Sequence, residues 1–210
     1  MTPNKVYLAT FVDRIWHWVH AIGIILLILT GFQIHFVEKF PIFGSYADAL
    51  HWHNITGLIV TFDWGLWFLY NLLSGRFSRY YRPNRDDLPA GMIRQAMFYT
   101  MGIFKGEAHP FPVGKTRKFN PLQKWTYLGM MAVLIPFQII TGLYLYSMMV
   151  GVIPFDGSNA FPISVLHTAA SFFSAIFVIS HIYLGTTGHK PWDQFQFMIT
   201  GYHDDEQANH

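Results

Sequence analysis

The sequence contains no cysteine in its 210 residues. This absence excludes disulfide bonds, thiolate metal sites and iron–sulfur clusters within the chain. It also excludes a covalently attached c-type haem, which needs cysteine side chains. Any redox centre in this chain must therefore be held by other ligands.

Charged residues are also scarce, at 12% of the chain, against 52% apolar and 18% aromatic residues. A soluble domain carries about twice that charged share, so the composition excludes an ordinary soluble fold. The formal net charge of +2 is too small to indicate binding to nucleic acid, and we expect no such partner.

Four apolar stretches reach the roughly 20 residues that a membrane-spanning helix needs. Their approximate bounds are 15–36, 55–73, 122–150 and 163–186. The first is too long for a secretory signal peptide, and no small-residue cleavage site follows it. We therefore predict an all-α integral membrane four-helix bundle that forms a single domain over residues 1–210, with a loop at 74–121 and a tail at 187–210.

Basic residues are distributed unevenly around these spans. Ten of the fourteen lie between spans two and three (counting Lys124 at the start of span three), three lie near the two ends of the chain, and only Lys39 lies in another loop. The positive-inside rule then predicts that both termini and the loop at 74–121 are cytoplasmic, in a bacterial cytoplasmic (inner) membrane. Within that loop, residues 88–104 are predicted to form an interfacial helix. The tail after Trp192 is expected to be loosely ordered.

Four of the eleven histidines fall at two matched depths in this topology. His17 and His181 lie at the cytoplasmic ends of spans one and four, whereas His53 and His167 lie at the opposite ends of spans two and four. His167 and His181 are 14 residues apart, close to four helical turns, which puts them on one helix face about 21 Å apart. Imidazole is a good axial ligand for haem iron, and helix bundles hold cofactors between facing helices. We predict two haems b held between the helices, one for each histidine pair.

Several alternatives are open at this point. His20 lies one turn beyond His17, and His51 lies two residues before His53, so either could replace its neighbour as a ligand. Asp63 lies in the middle of span two, where a carboxyl group suits a structural hydrogen-bond acceptor or a proton path equally well. A haem-free membrane anchor or small transporter is the alternative from a different functional class.

Short motifs in a fixed order carry a resemblance to a known family. They are Phe11-Val12-Asp13-Arg14-Ile15-Trp16-His17-Trp18, Thr30-Gly31, His53 four residues before Gly57, Gly106 to His109, Lys118-Phe119-Asn120 with Gln123-Lys124, Thr141-Gly142, His167, and His181-Ile182-Tyr183. Together they resemble the cytochrome b (gamma) subunit of membrane-bound respiratory formate dehydrogenase, which is related to the b subunits of thiosulfate reductases and nickel–iron hydrogenases. The resemblance covers nearly the whole chain.

The resemblance implies that His53 and His167 ligate the iron of an outer haem. It implies likewise that His17 and His181 ligate the iron of an inner haem. This pairing is the same as the one that the depths of the four histidines indicate.

The resemblance also implies a quinone site beside the inner haem. The family binds menaquinone there through an asparagine and nearby polar residues before span three, and Asn120 and Gln123 match that position. We therefore expect these two side chains to bind menaquinone or ubiquinone. The alternative, compatible with this role, is that Asn120 caps the start of span three, with Pro121 at the first helical position. Pro121 and Leu122 depart from the family pattern, which has small residues there.

Partners follow from the resemblance alone. They are an extracytoplasmic iron–sulfur electron-transfer subunit and a molybdenum or tungsten subunit that oxidises formate. On this interpretation the chain has no catalytic residues of its own and transfers electrons to the quinone. The b subunit of a quinol-oxidising thiosulfate or polysulfide reductase, or of a hydrogenase, is the alternative within the same class.

Overall fold

The computed structural model describes residues 5–37, 39–112, 118–187 and 190–204. Within these ranges the structure is mainly helical, and the predicted all-α class is confirmed. The elements in chain order are β1 (Lys5–Tyr7), α1 (Phe11–His35), α2 (Tyr46–Leu73), α3 (Pro89–Met97), α4 (Pro121–Gly129), α5 (Ile135–Met149), α6 (Gly157–Gly185), α7 (Asp193–Thr200) and β2 (Tyr202–Asp204).

Four helical stretches of the described chain are long and apolar enough to cross a membrane. They are α1, α2, the stretch Pro121–Met149 that contains α4 and α5, and α6. Between α4 and α5 the stretch widens into a π-helical segment, Met130–Leu134. Pro136 is the second residue of α5, and its ring nitrogen has no hydrogen to donate to the carbonyl of Ala132. The missing hydrogen bond explains why the helix departs from regular geometry at this point.

Polar residues fix where the spanning helices begin. Thr10 and Asp13 exchange hydrogen bonds between side chain and backbone at the start of α1, and Ser45 and Asp48 do the same before α2. Both are capping boxes, in which each side chain satisfies the backbone N–H of the other. Helix α2 therefore begins nine residues before the predicted span at residue 55. Hydropathy fails to detect this extension because the first two turns of α2 are polar.

The described chain divides into two compact units. The span unit consists of Ile15–Phe68 and Met131–Gly185, and the loop unit consists of Met1–Arg14, Leu69–Met130 and Thr186–His210. The sequence analysis predicted a single domain. The division into two units is not visible in the hydropathy pattern.

The span unit has small and polar residues inside and large apolar residues outside. Gly23 lies so close to α2 that an added Cβ would be 2.4 Å from a methyl carbon of Val60. In contrast, Phe62 and Ile179 are 69% and 70% exposed. Helices in lipid associate through close packing of small residues and through internal hydrogen bonds. This distribution is therefore the one expected of helices that are surrounded by lipid.

The loop unit is held by buried ion pairs. The Lys124 ammonium contacts the Asp87 carboxylate, which is 1% exposed, and Trp125 donates from its indole nitrogen to the Asp87 carbonyl at 2.7 Å. Arg76 donates to both carboxylate oxygens of Asp13. Burial lowers the pKa of the nearby Lys118 ammonium, and the Asp13 carboxylate opposes that shift. Each of these charges lies beside an opposite charge, which offsets the cost of burying it.

The tail is the place where the sequence-based expectation is wrong. Residues after Trp192 form α7 and then β2, which pairs antiparallel with β1 so that Val6 lies opposite His203. The prediction of a loosely ordered tail relied on its polar composition. That prediction did not take into account the partner strand β1, which lies almost 200 residues away at the other end of the chain. Residues 205–210 lie outside the described part of the chain.

A helix is present where the interfacial helix was predicted. α3 continues into a π-helical turn and a 3-10 turn that ends at Lys105. Ile93, Met97 and Met101 follow one another at four-residue intervals along this segment, and each is at least half exposed. The segment is therefore amphipathic, as an interfacial helix must be. Its location at a membrane surface stays a prediction.

Candidate functional site

Two pairs of histidines meet in the span unit. The rings of His53, on α2, and His167, on α6, have centroids 6.2 Å apart. The rings of His17, on α1, and His181, on α6, are also 6.2 Å apart. All four side chains are partly buried. The structure therefore brings together the same two pairs that the sequence analysis proposed.

The two pairs lie at different levels of the bundle. His167 and His181 both belong to α6, which runs without interruption from Gly157 to Gly185. At 1.5 Å per residue, the 14 residues that separate them span about 21 Å. Ala170 and Ser174, which lie between them along the helix, are 7% and 5% exposed, so the stripe of small side chains faces the interior of the bundle.

The separation within each pair matches that of two axial ligands on one iron. An imidazole nitrogen lies about 2 Å from a bound transition-metal ion, and the ring centre lies roughly 1 Å behind it, so two rings on opposite sides of one ion have centres about 6 Å apart. The observed value of 6.2 Å for both pairs agrees with this. No group of three or more histidine, cysteine or acidic side chains that could hold a metal ion occurs among the described residues. A site with two protein ligands fits haem, because the porphyrin supplies the other four.

A threonine hydroxyl lies against each imidazole of the His53–His167 pair. The Oγ1 atom of Thr30, on α1, is 2.9 Å from Nδ1 of His53. The Oγ1 atom of Thr141, on α5, is 2.8 Å from Nδ1 of His167. Thr30 is fully buried and Thr141 is 8% exposed, so both contacts lie inside the bundle.

A glycine follows each of these threonines and gives the imidazole room. A Cβ added to Gly31 would lie 3.6 Å from Cε1 of His53, and one added to Gly142 would lie 3.2 Å from Cε1 of His167. The second distance is tighter than ordinary contact, so a side chain at position 142 would push against the ring. A Thr-Gly pair on one helix thus holds a histidine on the next helix, at two places in the chain.

The contacts between these threonines and the histidines were missed from the sequence. Thr30-Gly31 and Thr141-Gly142 entered the analysis only as part of a resemblance. The available signal was the recurrence of one dipeptide in two different spans, each followed by a candidate histidine in the next span. Whether a threonine faces that histidine depends on how the two helices are rotated, which a single sequence does not specify.

The His17–His181 pair has a different environment. His181 stacks on Phe177, with ring centroids 5.6 Å apart and planes inclined by 12°. The Nδ1 atom of His17 is buried and has no hydrogen-bond partner among the described residues. The two pairs therefore have the same separation between their rings but different hydrogen bonding.

The alternative ligand His20 has another partner. Its Nδ1 lies 2.9 Å from a carboxylate oxygen of Asp63, and its ring stacks on that of Trp16. Asp63 is thus a hydrogen-bond acceptor for a buried histidine, which is the structural role that the sequence analysis considered. His51 is exposed, in contrast to the partly buried His53.

The two residues proposed for quinone lie in the loop unit. Asn120 is 1% exposed, and its Oδ1 accepts a hydrogen bond from the backbone N–H of Gln123. The backbone N–H of Asn120 in turn donates to Oε1 of Gln123. The Asn120 amide nitrogen donates to the Tyr99 hydroxyl at 2.9 Å. The capping role of Asn120, with Pro121 as the first helical residue, is therefore present. The quinone role stays a prediction.

Two comparisons with known proteins bear on this geometry. The family described as "Prokaryotic cytochrome b561" matches residues 9–201. The chain is also 36% identical over 203 residues to the Escherichia coli (strain K12) protein named "Putative cytochrome YdhU", an alignment that covers 95% of this chain and 75% of that protein. Both matches extend over the four spans and include all four paired histidines.

The contact between His20 and Asp63 predicts how substitutions at position 63 behave. Asp63→Asn keeps an acceptor oxygen, so we expect it to preserve the haem content and the electron-transfer rate. Asp63→Leu leaves His20 without its partner, and we expect it to destabilise the protein by about 1–3 kcal/mol. Thermal unfolding of the purified variants in detergent measures the difference. Phe62→Leu, at the neighbouring outward-facing position, is the matched control. A severe loss of turnover in Asp63→Asn with intact haems would assign Asp63 to a proton path instead.

Proposed function

Because this chain belongs to the prokaryotic cytochrome b561 family, a family of membrane electron-transfer proteins that carry haem b, we propose that each of its two histidine pairs ligates one haem b. The single observation that carries the proposal is the separation of 6.2 Å between the rings of both pairs. When bound, the two haems supply one-electron carriers at two levels of the membrane.

The chain's own residues hold and orient these groups. His53 and His167 present their rings between α2 and α6, and His17 and His181 present theirs between α1 and α6. Large apolar side chains on the outside of the span unit, such as Phe62 and Ile179, separate the site from water once they face lipid. The arrangement is suited to moving electrons across the bilayer.

Substitution of single ligands tests the proposal. We expect the wild-type protein to contain two low-spin haems b per chain, and His167→Ala and His181→Ala to contain one each, because each variant lacks one axial ligand. Pyridine haemochrome analysis of the purified proteins gives the ratio of haem to protein. His35→Ala is the matched control, since His35 is exposed and belongs to neither pair. Two haems with unchanged spectra in both ligand variants would contradict the assignment, and a wild type without haem would favour the membrane-anchor alternative.

We also propose that the chain connects an extracytoplasmic iron–sulfur subunit, and with it a molybdenum or tungsten formate dehydrogenase, to a quinone that is reduced near the cytoplasmic side. Support comes from the order of the sequence motifs and from the concentration of basic residues in the loop at 74–121, which favours a cytoplasmic position for that loop. The cysteine-free chain itself offers no iron–sulfur ligands.

The metal content of the co-purified complex identifies the class of the partner enzyme. We expect the complex that co-purifies with this chain from native membranes to contain molybdenum or tungsten and to reduce quinone with formate. Metal analysis and assays with formate, thiosulfate and hydrogen distinguish the possible partners. Nickel with hydrogen oxidation would identify a hydrogenase, and quinol-dependent reduction of thiosulfate or polysulfide would reverse the proposed direction of electron flow.

The quinone site is proposed at Asn120 and Gln123. Amide side chains donate to a quinone carbonyl and accept from a quinol hydroxyl, so they suit both redox states. Oε1 of Gln123 accepts from the backbone of Asn120, and no partner for its Nε2 occurs among the described residues. The Gln123 amide nitrogen is therefore the donor that the geometry makes available to a ligand, while Asn120 fixes the start of α4.

Two substitutions test this site. We expect Asn120→Asp and Gln123→Glu to raise the apparent KM for quinone about fivefold with both haems retained, because each keeps the capping oxygen and removes an amide donor worth about 1 kcal/mol. In Asn120 this donor is the amide hydrogen that is not donated to Tyr99. Steady-state quinone reduction measures the effect. Asn84→Asp is the matched control, since Asn84 forms the capping box of another helical turn in the same unit. If Asn120→Asp reduces quinone at the wild-type rate and affinity, Asn120 serves only as a cap.

A further inference from the structure

The hydroxyl groups of Thr30 and Thr141 each donate their one hydrogen to a backbone carbonyl. Each hydroxyl has one hydrogen to donate and two lone pairs with which to accept. The Thr30 hydroxyl donates to the carbonyl of Leu26 at 2.7 Å, and the Thr141 hydroxyl donates to the carbonyl of Phe137 at 2.8 Å. Both are the bond to the carbonyl four residues earlier that threonine makes within a helix. Each oxygen is left with lone pairs only.

This leaves one possible direction for the contact with His53. Nδ1 of His53 lies 2.9 Å from the Thr30 oxygen, which can only accept. Nδ1 of His53 must therefore carry the proton and donate it. In a neutral imidazole the other nitrogen, Nε2, is then unprotonated and has a free lone pair. The Thr30 hydroxyl thus selects the tautomer that a metal ligand acting through Nε2 requires.

We infer that Thr30 is a positioning residue for the haem of the His53–His167 pair, and that its hydroxyl lowers the reduction potential of that haem. The inference rests on the proposed ligation by these two histidines. An acceptor at Nδ1–H draws the proton away from the ring and makes Nε2 a stronger electron donor. A stronger axial donor stabilises ferric over ferrous iron, so the potential falls.

The other histidine pair supplies an internal contrast. Nδ1 of His17 has no such acceptor among the described residues, although it is buried. The haem of the His17–His181 pair is therefore expected to have the higher potential of the two. That order favours electron flow from the His53–His167 level towards the His17–His181 level, which is the direction of the proposed function.

Thr30 is the better of the two positions for a test. At His167 the Gln138 amide nitrogen, a donor, also lies 3.0 Å from Nδ1 and opposes a proton on that atom, so of the two histidines only His53 has its tautomer fixed by the threonine acceptor. The Thr30 hydroxyl is the side-chain acceptor for Nδ1 of His53, and the Leu27 carbonyl also accepts from this imidazole. No donor faces Nδ1 of His53 in the described part of the chain, so loss of the hydroxyl at position 30 should have the larger effect.

The experiment is a redox titration of the purified full-length protein with both haems bound. Thr30→Val keeps the shape of the side chain and removes the acceptor. We expect it to shift the ratio of reduced to oxidised outer haem at a fixed ambient potential by roughly threefold to tenfold towards the reduced form, about 30 to 60 mV at 59 mV per tenfold for one electron. Thr141→Val should shift the potential of the same haem by less.

Two further variants separate the hydrogen bond from packing. Thr30→Ser and Thr30→Cys have side chains of similar size, but a thiol is the weaker acceptor. We expect the potential in Thr30→Ser to stay near the wild-type value and that in Thr30→Cys to rise, which provides the measurement if Thr30→Val does not accumulate. Thr61→Val is the matched control, because Thr61 makes the same bond to a carbonyl four residues earlier at 2.8 Å and contacts no histidine in the described chain.

Equal potentials in Thr30→Val, Thr30→Cys, Thr30→Ser and Thr61→Val would overturn the inference. Its failure is distinct from that of the proposed function. If His53→Ala retains both haems, the ligation itself is wrong. If His53→Ala loses one haem while the threonine variants leave its potential unchanged, the ligation stands and only the role of the hydroxyls is wrong.

Discussion

The hydrocarbon of a membrane offers no hydrogen-bond partners, so a polar group inside the spans is costly unless it finds a partner within the protein. Most of the interior of the span unit is organised around this requirement. Its polar contacts between helices include Thr30 with His53, Thr141 with His167, His20 with Asp63, and the Trp64 indole with the Met131 carbonyl. Each of these contacts joins two different helical segments. The hydrogen bonds therefore offset the cost of burying the polar groups, and they also fix how the helices are rotated against one another. The histidine pairs face each other because of that rotation.

Much of this architecture could be predicted from the sequence, because the signals are large. An apolar run of 20 residues has few structural interpretations. A spacing of 14 residues within one run places His167 and His181 on one face whatever surrounds them. The existence of the spans and the depths of the histidines therefore follow from composition and helix geometry alone.

The finer features depend on which residues of different helices meet. His20 and His17 lie one turn apart, and the structure distinguishes them because His20 contacts Asp63 on α2 whereas His17 faces His181 on α6. The threonine hydroxyls need a similar register between neighbouring helices. Pairing of β1 with β2 joins residues almost 200 positions apart, and neither three-residue segment carries a strand signal of its own. Such contacts are set by tertiary packing, which outweighs local pattern in short polar segments.

Each histidine pair takes its two members from different halves of the chain. The hairpin of α1 and α2 contains His17 and His53, and it also contains Thr30, which holds one of them. The hairpin of α5 and α6 contains His167 and His181 together with Thr141. During biogenesis, either hairpin could thus enter the membrane with its share of the proposed haem ligands already oriented and still be unable to hold iron between two imidazoles. Haem uptake would then cross-link two halves that were inserted independently. In a membrane starved of haem, chains should accumulate whose two hairpins are each inserted but separate easily. Such chains should be cleaved by proteases in the connection between the hairpins.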